Sequence, residues 1–183
     1  MTAAELCSDL VLAEDSRALL REEMGPLDFV DALAASQHYQ EAVTVLSRAV
    51  PVRERIWWAC CCARQCSDFD SAPAIASAVQ AAEAWVTDGS EASRYRAFEA
   101  AQLVRLGSAA NCVAMAAFAS VGSMAPANAE LMPPPPQLSA QLAAGAVIVA
   151  SIGEGAEHAA ERYAFFIEQG KQFCQSATAP GAA

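Results

Sequence analysis

The stretch Arg53 to Cys66, RERIWWACCCARQC, places two tryptophans and four cysteines within fewer than four turns of any helix that contains it. Pro51 just ahead suits a helix start, where its missing N–H has no partner to lose. From Ile56 to Ala63 the residues are apolar on every side, and a helix without a polar face packs against neighbours all round. The spacing therefore predicts that this is the most buried helix of a multi-helix domain. Successive residues diverge by about 100° on a helix, so Trp57 and Trp58 cannot meet the same neighbour. One indole is expected in the core, and the other at a second interface or at the surface; the sequence does not say which.

The flanking segments supply the other helices. Gly25-Pro26 opens one, with Phe29, Val30 and Leu33 as its buried stripe, and Ala42, Val45, Leu46 and Ala49 mark one face of the next. After the turn cluster SDFDSAP, a helix carries Ile75, Val79, Ala82 and Val86 on one face. Asp88 with Glu91 fits a capping box for a fifth helix running to Leu106 and stopped by Gly107, with Ser90 as the rival cap. Ser108 caps a sixth, ending at Gly122. A seventh spans Ser139 to Ser151, and a last one carries Ala159, Tyr163, Phe166, Ile167, Gly170 and Cys174 as a stripe. No alternating run bounded by turns suggests a strand.

The expectation is an all-α single domain of seven or eight helices, packed as successive antiparallel hairpins because the connections are short. Residues 1–24 read as an acidic, weakly ordered lead-in, residues 25–178 as the helical domain and residues 179–183 as a frayed tail. Within the domain, residues 123–137 form a proline-rich loop, where Pro133 to Pro136 force an extended polyproline path.

A formal charge of −10 leaves no Lys/Arg surplus for phosphate, which argues against nucleic acid and anionic lipid as partners. The most apolar stretches, Ala109 to Val121 and Leu142 to Ala150, are shorter than the roughly 20 residues that cross a bilayer. The amino-terminal residues are acidic where a signal peptide is basic, so the expected location is the cytoplasm. The seven cysteines lack the spacing of a disulfide framework, and reduced thiols follow from that setting.

Cys60, Cys61 and Cys62 fan out in three directions. Cys62 and Cys66 lack the second pair that a structural zinc site needs. Packing is the simplest role for all four, so no metal and no cofactor is expected; a cysteine-based redox or metal-binding protein is the alternative reading. His38 and His158 stand apart from any nucleophile motif, and no phosphate loop is present, so no catalytic residue is assigned. Arg53, Arg55 and Arg64 flank the tryptophans, and Arg94, Arg96 and Arg105 lie on the fifth helix. Arginine and tryptophan are enriched at energetically important interface positions. Arg53, Arg55, Trp57, Trp58 and Arg64 are the candidate partner-binding residues; the competing role for the arginines is intramolecular pairing with the surplus carboxylates and stacking over indoles.

The run FVDAL, then Tyr39, Ala42, Val43 and Leu46, then Pro51, Arg53 and WWACCCAR, resembles a bacterial family of small, uncharacterised helical proteins with a WWACxCAR pattern. AAEAWV at Ala81 to Val86, the four prolines followed by Gly145 to Val147, and ERY at Glu161 to Tyr163 with Phe166 and Gly170 extend the resemblance. Members of that family are encoded in type VI secretion clusters near spike-tip PAAR proteins, toxic effectors and thiolase-like proteins. The resemblance implies an adaptor or co-chaperone without enzymatic activity, whose partner is one of those proteins. Neither the partner's identity nor the oligomeric state follows from it.

Overall fold

The computed structural model describes residues 1–69, 72–126, 129–153 and 155–176. The expected frayed tail, two residues of the SDFDSAP turn and two of the proline-rich loop lie outside the described residues. Among those described, the chain is all helical, with ten helices rather than seven or eight and no strand. They are α1 (Ala3–Leu6), α2 (Glu14–Ala18), α3 (Pro26–Ala35), α4 (Tyr39–Ala49), α5 (Val52–Ala63), α6 (Pro73–Asp88), α7 (Glu91–Ala101), α8 (Ala109–Phe118), α9 (Leu138–Ile152) and α10 (Ala156–Ser176). The last eight match the periodic segments of the sequence. The additional two are short helices in residues 1–24, where the apolar pattern is weak.

Those two are held by polar anchors. Arg48, buried on α4, donates to the carbonyl of Leu6 at 3.2 Å and pairs with Asp9. Glu41 accepts the Ala13 N–H at 2.8 Å and the Ser16 hydroxyl. These contacts join residues 25 or more positions apart, so no local periodicity reports them.

Several helix ends also differ from expectation, α5 stopping at Ala63 short of Cys66 and α8 at Phe118 short of Gly122. Ser90, not Asp88, is the N-cap of α7, its hydroxyl accepting the Ser93 N–H, while Asp88 closes α6 and accepts the Ser90 N–H. α7 stops at Ala101, short of Leu106. Asn111 is the cause: its amide donates to the Ala101 carbonyl at 2.9 Å and accepts the Gly107 N–H at 3.1 Å, so a side chain of the next helix ends this one. The truncation leaves Leu103 and Leu106 exposed.

α8 is more buried than α5: eight of its residues are inside, only Cys112 and Met115 being partly open. Alanine is the reason, since side chains of one carbon let α8 and α9 approach closely. Hydroxyls bridge the gaps, Ser139 to the Ala116 carbonyl at 2.9 Å and Ser47 to the Ala140 carbonyl at 3.0 Å. α5 packs against α6, α8, α9 and α10, and α4 against α3, α9 and α10. α4 and α5 pack against each other far less than either does against α9 and α10. A single contiguous hydrophobic core includes residues from α1 to α10.

Trp58 is fully buried at the centre of the α4–α5–α10 junction, and its indole N–H donates to the Phe166 carbonyl at 2.9 Å. Gly170, one turn on in α10, makes the room. A Cβ there would lie 2.7 Å from the indole and 2.8 Å from Leu46. Gly170→Ala gains roughly 1 kcal/mol of helix propensity but incurs an overpacking cost of about 1–3 kcal/mol. Thermal unfolding should therefore show a less stable protein; an unchanged or raised midpoint would mean that the indole does not press on this glycine.

The Arg48 partnership also sets a pH dependence. Hydrogen bonding to Arg48 holds the Asp9 carboxyl below its usual 3.8. A depressed carboxyl stabilises the fold fully above the ordinary value, and that contribution fades as pH falls below it. Amide-exchange protection across residues 3–10, taken relative to the intrinsic rate at each pH, should fall on acidification below about pH 4; Asp9→Asn should show the reduced protection at neutral pH already. Identical exchange in variant and wild type at pH 7 would remove the ion pair as the anchor.

Candidate protein-binding surface

α5 turns a narrow stripe outward. Arg53, Trp57, Cys61 and Arg64 recur at helical spacing and are exposed or half-buried, whereas Arg55, Ile56, Trp58, Ala59, Cys60, Cys62 and Ala63 are buried. The tryptophan pair is thus divided: Trp58 is 0% exposed and Trp57 39% exposed.

Trp57 lies in a shallow groove with Arg53 and Glu54 of its own helix, Val86 of α6 and Phe173 of α10. Arg53 forms one end. Its guanidinium donates to the Val86 carbonyl at 3.1 Å and lies 6.0 Å from the Trp85 ring. It also lies against Gly89, which adopts a left-handed φ of 62° at the end of α6, and a Cβ there would sit 2.1 Å from Nη2. The positive φ is what favours glycine, and a side chain there would also displace the Arg53 guanidinium.

The other candidates have different surroundings. Arg55 is buried and donates to the Val50 carbonyl at 3.1 and 3.3 Å, capping α4; burial lowers its pKa to about 10. It has no surface to offer a partner. Trp58 likewise offers none. Arg64 is exposed, yet both guanidinium arms hold Glu83 at 2.6 Å and the group lies 5.1 Å from the Phe69 ring. Arg53 and Trp57 are therefore the candidates that reach one accessible surface together. Phe173 was not singled out from the sequence, and Val86 was read there only as part of the packed face of its helix. Phe173 extends the Phe166–Gly170 stripe by three residues, a signal that the pattern did contain.

The cysteines are thiols, with no disulfide among the described residues. Burial pushes the thiols of Cys60 and Cys62 well above the ordinary value, and those of Cys7, Cys61, Cys112 and Cys174 up as well. A thiol raised in this way is poorly ionised at neutral pH, and the thiolate is the nucleophile and metal ligand. Among the described residues, no three His, Cys, Asp or Glu side chains come together as a possible metal site. His38 lies 3.7 Å from Glu41 at the start of α4, and His158 is exposed on α10. No described helix is long and apolar enough to cross a membrane.

A family model matches residues 29–174, and the chain belongs to that family, a family of unknown function (DUF6931). No curated protein and no solved structure matches the chain. The matched region begins in α3 and ends in α10, so it takes in the Trp58–Gly170 contact and the groove on both sides.

The thiol environment leads to a direct expectation. Cys60 and Cys62 should react with a thiol reagent at neutral pH only after denaturant is added. Rapid labelling of either in the folded protein would contradict the buried assignment.

Proposed function

We propose that this protein is a non-enzymatic adaptor or co-chaperone that helps load an effector onto the type VI secretion apparatus. Its partner is an effector, a PAAR spike-tip protein or a thiolase-like protein, and the binding surface is the Arg53–Trp57 groove. The reading of type VI secretion comes from the family resemblance. The observation that carries the binding role is the exposed Trp57, with Val86 and Phe173 beside it and a guanidinium at one end. Aromatic and arginine anchors of this kind dominate interface energetics.

The raised thiols favour this reading over cysteine-based redox or metal chemistry. The excess of carboxylates favours a protein partner over nucleic acid or membrane, and is in keeping with a cytoplasmic site of action. Arg55 and Trp58 contribute by holding α5 in place, and Arg64 by fixing its end to α6 through Glu83.

Removing a central anchor costs about 2 kcal/mol or more, roughly a thirtyfold loss of affinity. A pull-down of the thiolase-like protein or the effector should therefore succeed with wild type and fail with Arg53→Ala/Trp57→Ala, helicity being unchanged. Undiminished capture by the folded variant would place the interface elsewhere, and no capture by wild type would contradict the adaptor role.

A further inference from the structure

The groove around Trp57 and the proline-rich loop lie at the same end of the bundle. Arg53, at the start of α5, bonds the Val86 carbonyl near the end of α6, and Gly89 and Ser90 lead from there directly into α7. In the first turns of α7, Arg94 donates to the Ser123 carbonyl at 2.9 Å and the Tyr95 hydroxyl to the Ala125 carbonyl at 3.1 Å, which fixes the start of the loop at that end. The loop base is closed by the Met124 N–H on the Met132 carbonyl at 2.7 Å and the Met132 N–H on the Ser123 hydroxyl at 3.0 Å. The segment from Glu130 to Pro136, which includes the closing Met132, runs over the surface, with Leu131 83% and Met132 60% exposed.

The two features are chemically matched. An aromatic-lined groove is the usual receptor for a polyproline segment, whose pre-formed extended path loses little entropy on docking. The Trp57 indole N–H has no hydrogen-bond partner among the described residues and is free for a backbone carbonyl, the acceptor that proline retains. Charge is complementary too: Glu130, exposed and without an ion pair among the described residues, precedes the prolines, and Arg53 closes one end of the groove. Along an extended polyproline-like path, Glu130 and Pro133 would lie about 9 Å apart. Arg53 and Trp57 are separated by about 6 Å along the helix, a difference that the arginine side chain spans.

We propose that the occupant of the groove is the Glu130–Pro136 segment of a second copy of this chain. Because segment and groove share one end of the bundle, two copies facing each other about a two-fold axis exchange segments reciprocally and the assembly closes as a dimer. Each Pro133–Pro136 run lies on the partner copy's Trp57 and Phe173, with Glu130 against Arg53. The inference rests on the reading of this groove as a protein-binding surface. It adds that the surface is covered in the free protein and that a partner gains access by displacing the second copy.

Sedimentation of the full chain over a concentration series tests this, together with tryptophan fluorescence during titration with a synthetic peptide of residues 129–137. Wild type should pass from monomer to dimer as concentration rises. Trp57→Ala and Glu130→Arg should each weaken dimerisation at least tenfold, and Arg53→Glu should restore it in the Glu130→Arg background, all with wild-type helicity. The peptide should perturb wild-type fluorescence and dissociate the dimer. A monomer at every concentration, or a dimer indifferent to Trp57→Ala and Glu130→Arg, would overturn the proposal. Peptide binding by a chain that stays monomeric would also overturn it, the groove then serving a proline-rich segment of another protein. The adaptor reading is scored separately by pull-down: Trp57-dependent capture by a monomeric wild type rejects only the dimer, and a Trp57-dependent dimer with Trp57-independent capture rejects only the adaptor surface.

Discussion

The hydrogen bond from the Trp58 indole to the Phe166 carbonyl, made possible by the bare Cα of Gly170, fixes the last helix against the middle of the chain. In an α-helix the Phe166 carbonyl already accepts the Gly170 N–H, so the indole adds a second donor to an occupied acceptor. A buried indole N–H without a partner would cost about 1–3 kcal/mol, a cost that this bond avoids at Trp58. The same contact decides the rest of α5. With Trp58 turned toward α10, Trp57 must point about 100° away, toward the margin where Val86 and Phe173 meet it. The division of the tryptophan pair into a structural and an exposed member thus follows from one glycine more than a hundred residues away.

A second constraint is the shortage of basic residues. The chain has 11 Lys and Arg against 21 Asp and Glu, and several arginines are spent at helix C-termini. Arg48 reaches Leu6, Arg53 reaches Val86, Arg55 reaches Val50, Arg94 reaches Phe118, and Arg162 reaches both Ala150 and Gln65. The last carbonyls of a helix lack intrahelical partners and carry the negative end of its dipole, so a guanidinium satisfies both needs. Arg94 is the fullest case. It is completely buried, held by Glu91, and 4.7 Å from the rings of both Tyr95 and Phe118. With these arginines committed to helix ends, Arg53 differs in being exposed as well, bonding the Val86 carbonyl from the margin of the groove.

The sequence carried the existence and the starts of the helices of residues 25–176, because their stripes are periodic and their starts are marked by Pro26, Pro51, Pro73, Ser90 and Ser108; several of their ends fell short of the pattern. What it did not carry is long-range. The Asn111 side chain that stops α7, the Glu41 and Arg48 anchors of the amino-terminal segment, and the Gly170 recess leave no local signature. For the candidate surface, composition and spacing pointed to α5 but not to which of its residues face outward. Arg55 looked equivalent to Arg53 because both flank the tryptophans, yet a two-residue step on a helix is about 200°, enough to send one inside.

The division of labour between the two tryptophans is the centre of this account, and unfolding curves of the two single alanine variants measure it most directly. Trp58→Ala should lose about 3–5 kcal/mol, the cost of truncating a fully buried aromatic that also leaves the Phe166 carbonyl a donor short. Trp57→Ala, removing a ring that is 39% exposed, should cost much less and keep the wild-type melting cooperativity. Equal losses in the two variants, or a larger loss for Trp57→Ala, would contradict the account, because α5 would then be turned the other way and the groove would not exist.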